Sequence, residues 1–311
     1  MNIIFMTNSE FSIPSLEKLK NSNHTIMNVV TNPNQKVGRQ KNNGSIITLK
    51  CEELGIKIIE QNDLNNNSFE KTLRKFQPDL FVIVAYRILP KSLLNIPKLG
   101  SINLHGSLLP SYRGAAPIQW SLINGDKQTG LSIFFIEPKV DTGALISQKK
   151  IEILDYDNYG SLKSKMALKG AKLLLDAINL IDDRKISPIK QNEGLVTYAP
   201  KITKEMTHIN WDTSATRIHN FIRGLTPVPG AQSRINGKHI KIQETYIINN
   251  YPNNSTFNAG QISDISKDKL LIQTGDGQLS IIRLQLEGKR SLDIKSFLNG
   301  YPLKVGAYFG S

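Results

Sequence analysis

Short apolar runs alternate with helical patterns through the first half of the chain. Residues 2–6 (NIIFM), 24–30 (HTIMNVV), 56–59 (IKII), 79–85 (DLFVIVA) and 101–105 (SINLH) are short, rich in β-branched residues and bounded by turn formers, which predicts strands. Between them, residues 12–20, 45–55 and 67–76 carry apolar positions at helical spacing. Strand–helix alternation of this kind implies right-handed βαβ units and a doubly wound, mostly parallel sheet, an α/β fold. Residues 131–137 and 144–153 add two more strands, and residues 158–181 give a long amphipathic helix. The pattern then breaks. Residues 182–211 are polar and interrupted by Pro188 and Pro200. After a helical segment at 214–224, the strand candidates 231–235, 238–248, 269–276 and 278–287 follow, with Gly237, Gly275 and Gly277 at turns. This predicts a catalytic α/β domain over 1–187, a linker over 188–207 and a small all-β, OB-like barrel over 208–311.

Composition narrows the class. At 39% hydrophobic and 21% charged the 311-residue chain can bury a core, and its length suits two domains. The single cysteine, Cys51, rules out an intrachain disulfide framework. The start, MNIIFMTNSE, lacks a basic leader region, and the longest apolar run (80–86) is far too short to span a bilayer. A cytoplasmic protein with no membrane partner is expected. The net charge of +13 suits a polyanionic partner. No G-x-G-x-x-G follows the first strand, where residues 5–11 read FMTNSEF, so a nicotinamide dehydrogenase is disfavoured.

The candidate chemistry sits where one strand ends. In GSINLHGSLLPSYRGAAPIQW (100–120), Asn103 and His105 share one face of the strand and Ile102 and Leu104 the other. An amide N–H can hold a developing oxyanion, and an imidazole can exchange a proton near neutrality. HGSLLP is not a serine elbow, so direct transfer to an external nucleophile is the expectation. Asp141, in KVDTGALI, supplies a carboxylate at a turn between two strands that could orient an imidazole.

These segments, together with ING (123–125), TG (129–130), AYRILP (85–90) and LVTYAPKITKEM (195–206), resemble the 10-formyltetrahydrofolate-dependent formyltransferases over nearly the whole chain. Within that superfamily the chain looks like the members that act on methionyl-tRNA. The resemblance implies acyl transfer from 10-formyltetrahydrofolate, as co-substrate, to the α-amine of initiator methionyl-tRNA, with no metal. It assigns Asn103, His105 and Asp141 to catalysis. Arg87, Ile88 and Leu89, with Ser107, Leu108, Leu109 and Pro110, match the segments that line the folate site. Thr7, Asn8 and Ser9 depart from the Gly-Thr-Pro common in the family, which bears on the backbone of the first turn. The stretch 31–50 is long for a strand–helix connection and contains Lys36, Arg39, Lys41 and Lys50 with no acidic residue. The resemblance makes this stretch a contact for the tRNA acceptor arm through Lys36, Arg39 and Lys41.

A monomer is expected. Formylation of a nucleotide-linked amino sugar is the nearest alternative, and the basic stretch and net charge weigh against it. A glycinamide ribonucleotide formyltransferase would not need the C-terminal region, and a tRNA-binding protein without catalysis would not need the Asn103, His105 and Asp141 set.

Overall fold

The computed structural model describes residues 1–33, 45–248 and 256–310. The chain divides into two compact units, Met1–Pro117 with Thr129–Glu152 and Lys163–Ala199, and Ile118–Gln128 with Ile153–Leu162 and Pro200–Ser311.

In the first unit the apolar runs become β1 (Asn2–Thr7), β2 (Thr25–Thr31), β3 (Ile58–Glu60), β4 (Leu80–Val84) and β5 (Ser101–His105). Helices α1 (Ile13–Lys20), α2 (Ile46–Glu53), α3 (Asn67–Lys75) and α4 (Lys91–Leu94) fall between them. A short strand β6 (Arg113–Gly114) precedes helix α5 (Pro117–Ile123), which falls almost wholly in the second unit, and then come β7 (Gln128–Phe135), β8 (Leu145–Glu152), the long α6 (Tyr159–Asp182), whose first turn also falls in the second unit, and the two-residue β9 (Tyr198–Ala199). The sheet order is β3-β2-β1-β4-β5-β7-β8. The first five strands pair in parallel, and β7 joins β5 antiparallel. Winding runs outward from β1 to β3 and then reverses to β4 on the other side of β1. The carboxyl ends of β1 and β4 therefore flank a topological switch point, where open α/β sheets bind ligands.

Strand alternation divides the apolar side chains between the two faces. Ile4, Met6, Phe81 and Ile83 pack with Phe69 and Leu73 of α3 and Leu93 of α4. Leu104 lies under α6, where an added Cβ on Gly170 would come within 2.9 Å of its side chain. This close approach pins β5, so Ile102 and Leu104 face the core and Asn103 and His105 look the other way.

The first turn, which lacks the Gly-Thr-Pro sequence, is held by hydrogen bonds of Asn8. The Asn8 N–H donates to the Ala85 carbonyl at 3.2 Å, and the Asn8 carboxamide oxygen accepts from the Asn32 N–H at 2.8 Å. One backbone bond and one side-chain bond of Asn8 thus tie the loops after β1, β2 and β4 together.

The second unit carries α7 (Ala215–Leu225), β10 (Ala231–Ile235), β11 (Lys238–Ile248), β12 (Ile262–Ile265), β13 (Leu270–Gln273), β14 (Gln278–Leu286), β15 (Leu292–Asp293) and α8 (Ile294–Gly300). The antiparallel order is β10-β11-β14-β13-β12, with β15 on β14. The C-terminal segment fits between the two edges, with Phe309 bridging Ile235 and Tyr308 bridging Gln261. The sheet closes into a barrel, which leaves no exposed edge at that seam. Its core holds Ile218, Ile222 and Leu225 of α7 against Ile240, Ile281 and Phe309. The hydropathy pattern does not announce β12, β15 or α8, since each offers only one to three apolar residues. Among the described residues, no helix is long and apolar enough to cross a membrane.

Candidate active site

His105 ends β5 and is buried. The backbone beyond it wraps around the ring. Ser107 Oγ donates to the Ser111 carbonyl at 2.6 Å, and the Tyr112 carbonyl comes back to within 2.9 Å of His105 Nε2. A carbonyl can only accept, so Nε2 carries the ring proton in this arrangement. That leaves Nδ1 as the atom free to exchange a proton. Asp141 Oδ2 lies 3.7 Å from Nδ1, and the Gly114 N–H donates to the same oxygen at 2.8 Å. The carboxylate is held in place by that N–H and reaches the ring by charge rather than by a tight hydrogen bond.

Opposite His105 in the ladder stands Ser132, which is fully buried. Its hydroxyl donates to the Ser107 carbonyl at 2.7 Å and accepts from the Leu109 N–H at 3.0 Å. Gln148 Nε2 reaches both the Leu109 carbonyl and Ser132 Oγ at 2.8 Å. These two polar side chains from β7 and β8 lock the SLLP loop against the end of β5. Asn103 is half-buried, and its amide has no hydrogen-bond partner among the described residues.

The other expected site residues divide. Arg87 donates to the carbonyls of Gln61 and Asn62, and its guanidinium carbon lies 5.3 Å from the Tyr86 ring centroid. Among the described residues its Nε is buried without a partner. Ile88 is 74% exposed, whereas Leu89 is 6% exposed and packs among Ile4, Phe69, Ile83 and Leu93. Residues 87–90 and 62–65 line a cavity of about 390 Å³ beside the switch point. Residues 107–110 are not part of that lining, and Ser107 and Leu109 are buried. Lys36, Arg39 and Lys41 lie outside the described residues.

Sequence reasoning missed Gly114, Ser132, Gln148 and Gln191. Gln191 lies in the polar stretch after α6, and its amide contacts the Asp141 turn. No spacing signal marks it, because the contact is made across about fifty residues of chain with no periodicity.

Residues 1–178 match the model of the formyl transferase family, and residues 201–302 match its C-terminal domain. The methionyl-tRNA formyltransferase of Caldanaerobacter subterraneus subsp. tengcongensis is 37% identical over 309 residues, covering 98% of this chain and 99% of the relative. That of Porphyromonas gingivalis strain W83 is 37% identical over 320 residues, covering 99% and 98%. The chain belongs to the methionyl-tRNA formyltransferase family. Solved structures agree at the level of fold. A sugar 3N-formyl transferase, WlaRD, superposes with a TM-score of 0.67 at 21% identity, over 93% of this chain and 99% of that one. HypX from Aquifex aeolicus, solved with tetrahydrofolic acid, superposes with a TM-score of 0.63 at 14% identity, over 97% and 48%. This formyltransferase therefore shares its fold with a sugar formyl transferase and with HypX.

Proposed function

We propose that this formyltransferase moves the formyl group of 10-formyltetrahydrofolate to the α-amino group of initiator methionyl-tRNA, giving N-formylmethionyl-tRNA for translation initiation. Asn103, His105 and Asp141 carry the step. The observation that supports this most directly is the buried His105–Asp141 pair at 3.7 Å, on the same strand face as the half-buried Asn103.

The donor supplies a formyl carbon activated as an amide of N10. Asn103 donates its amide N–H to the formyl oxygen as negative charge builds there. His105, with Nε2 committed to the Tyr112 carbonyl, takes a proton from the attacking amine at Nδ1 and returns it to N10 as the bond between N10 and the formyl carbon breaks. Asp141 stabilises the ring when that atom is protonated, and the Gly114 N–H keeps the carboxylate from turning away. Each such group contributes about 10²–10⁴-fold in rate.

The surrounding residues fit a folate. Ile88 offers an exposed apolar wall beside the switch point, and Arg87 lines the cavity next to it. Arg87, Ile88 and Leu89, with Ser107 to Pro110, would hold it, Leu89 and Leu109 from behind as packing. Lys36, Arg39 and Lys41 would meet the tRNA acceptor arm, and the enzyme would act as a monomer in the cytoplasm. The test is direct. The protein is incubated with 10-formyltetrahydrofolate and methionyl-tRNA, and the esterified amino acid is assayed for formyl-methionine, with His105→Ala in parallel. Absence of product from the wild type, or equal product from a folded His105→Ala variant, refutes the reading.

A further inference from the structure

Asp141 sits in a backbone conformation that L-residues adopt reluctantly, with φ at +54°. Two residues on, Gly143 leaves no room for a side chain, because an added Cβ would overlap the Phe135 carbonyl oxygen. A turn of this kind needs support from outside itself. The support comes from Gln191, which is 4% exposed. Its Nε2 donates to the Asp141 carbonyl at 2.9 Å and to the Gly143 carbonyl at 2.8 Å.

The other end of the same amide is equally constrained. Gln191 Oε1 accepts from Arg113 Nε at 3.2 Å and Nη2 at 2.8 Å. A guanidinium only donates and a carbonyl only accepts, so a flipped amide would oppose donor to donor and acceptor to acceptor. Arg113 is itself 4% exposed and is braced by Glu193 through two further bonds of 2.8 and 3.1 Å. The residue after Arg113 is Gly114, whose N–H holds the Asp141 carboxylate. Pairing of β6 with β9 fixes that N–H, and an added Cβ on Gly114 would approach the Ala199 carbonyl oxygen at 2.6 Å. Both the carbonyl and the carboxylate of Asp141 are thus tied to one buried assembly, supplied by residues 113–114 and 191.

We propose that Gln191 is a positioning residue for formyl transfer. It sets the Asp141 turn, and through it the distance from the carboxylate to His105, while Arg113 fixes the direction of its amide. This rests on the reading of Asp141 as the partner of His105.

The test is a double-mutant cycle on the full-length chain. It compares the wild type, Gln191→Ala, Asp141→Ala and the double variant by steady-state kinetics with 10-formyltetrahydrofolate and methionyl-tRNA, with thermal unfolding of each. Gln191→Ala is expected to lower kcat by about 10-fold or more, with KM for both substrates within about twofold. In the Asp141→Ala background it should cost less than about twofold more, since there is no carboxylate left to place. Gln191→Glu keeps volume and an acceptor for Arg113 but sets an oxygen against two carbonyls. It should lose kcat as Gln191→Ala does, and it is the variant read if Gln191→Ala fails to fold. Near wild-type kcat in a folded Gln191 variant overturns the inference, as do losses that multiply with those of Asp141→Ala. If Asp141→Ala alone keeps wild-type kcat, the underlying reading of Asp141 fails first, and the cycle distinguishes the two.

Discussion

Asp141→Asn isolates the charge of the site from its shape. The carboxamide is nearly isosteric, and its oxygen can still accept from the Gly114 N–H that now holds Oδ2 at 2.8 Å. Its amino group would then face His105 Nδ1, where the carboxylate oxygen lies at 3.7 Å. Coulomb's law at an effective dielectric constant of about 20 puts the attraction between a full imidazolium and the carboxylate at that distance near 4.5 kcal/mol. That value suits this pair because both side chains are largely shielded, at 6% and 11% exposure. At 1.36 kcal/mol per decade, complete loss in the transition state is about 10³-fold. Proton transfer is only partial at that point, so the expected fall in kcat is about 10²–10³-fold. The amide's donor also favours the ring with its lone pair on Nδ1, which opposes protonation there. KM for the folate should change little, because no folate contact is removed. The assay is single-turnover formylation of methionyl-tRNA with both substrates saturating, alongside thermal unfolding. A folded variant within about threefold of wild type would refute the electrostatic role of Asp141, and a parallel rise in the folate KM would relocate the residue to binding.

Three further outcomes follow from burial and charge. Leu89→Asp sets a carboxylate into an apolar cluster and should cost on the order of 3–5 kcal/mol of stability, whereas Ile88→Asp, on an exposed side chain, should leave the unfolding temperature unchanged and weaken folate binding by calorimetry. Unchanged folate affinity in the Ile88 variant would remove this loop from the site. Arg39→Ala should raise KM or lower kcat for methionyl-tRNA by an amount equivalent to about 1.5–3 kcal/mol for an ordered contact, with affinity for tRNA falling as salt rises. A salt-independent affinity would detach the basic stretch from tRNA. Cys51 is fully buried, and burial pushes its thiol up to about 11, so a thiol reagent at pH 8 should label it only after denaturation. Since the folded value lies above the ordinary thiol value of 9.0, the stability it adds is present below that pH and is lost as pH rises through about 11. Rapid labelling of the native chain would contradict this.

Local physics made much of this molecule readable from its residues. A period of two places Asn103 and His105 on one face of a strand whatever the rest of the chain does, and the run of short apolar segments with helices between them requires a mostly parallel sheet. The residue types of Asn103, His105 and Asp141 carried their chemistry with them. What the residues could not supply was distance between segments far apart in sequence. Leu89 stands beside Ile88 and has the same apolar character, yet only the path of the loop after β4 turns one into the core and leaves the other exposed. Gln191 lies in a stretch that reads as a polar connection, because nothing in its neighbours shows that it will meet a strained turn built fifty residues earlier. The barrel's closing segment, residues 306–310, has too little apolar pattern to be read as a strand, and it contributes two isolated bridges because two open sheet edges leave backbone donors and acceptors for it to satisfy. Patterns of side chains determine which elements form and which faces they bury. The contacts that aim a catalytic carboxylate depend on backbone groups, which every residue has and no sequence pattern marks.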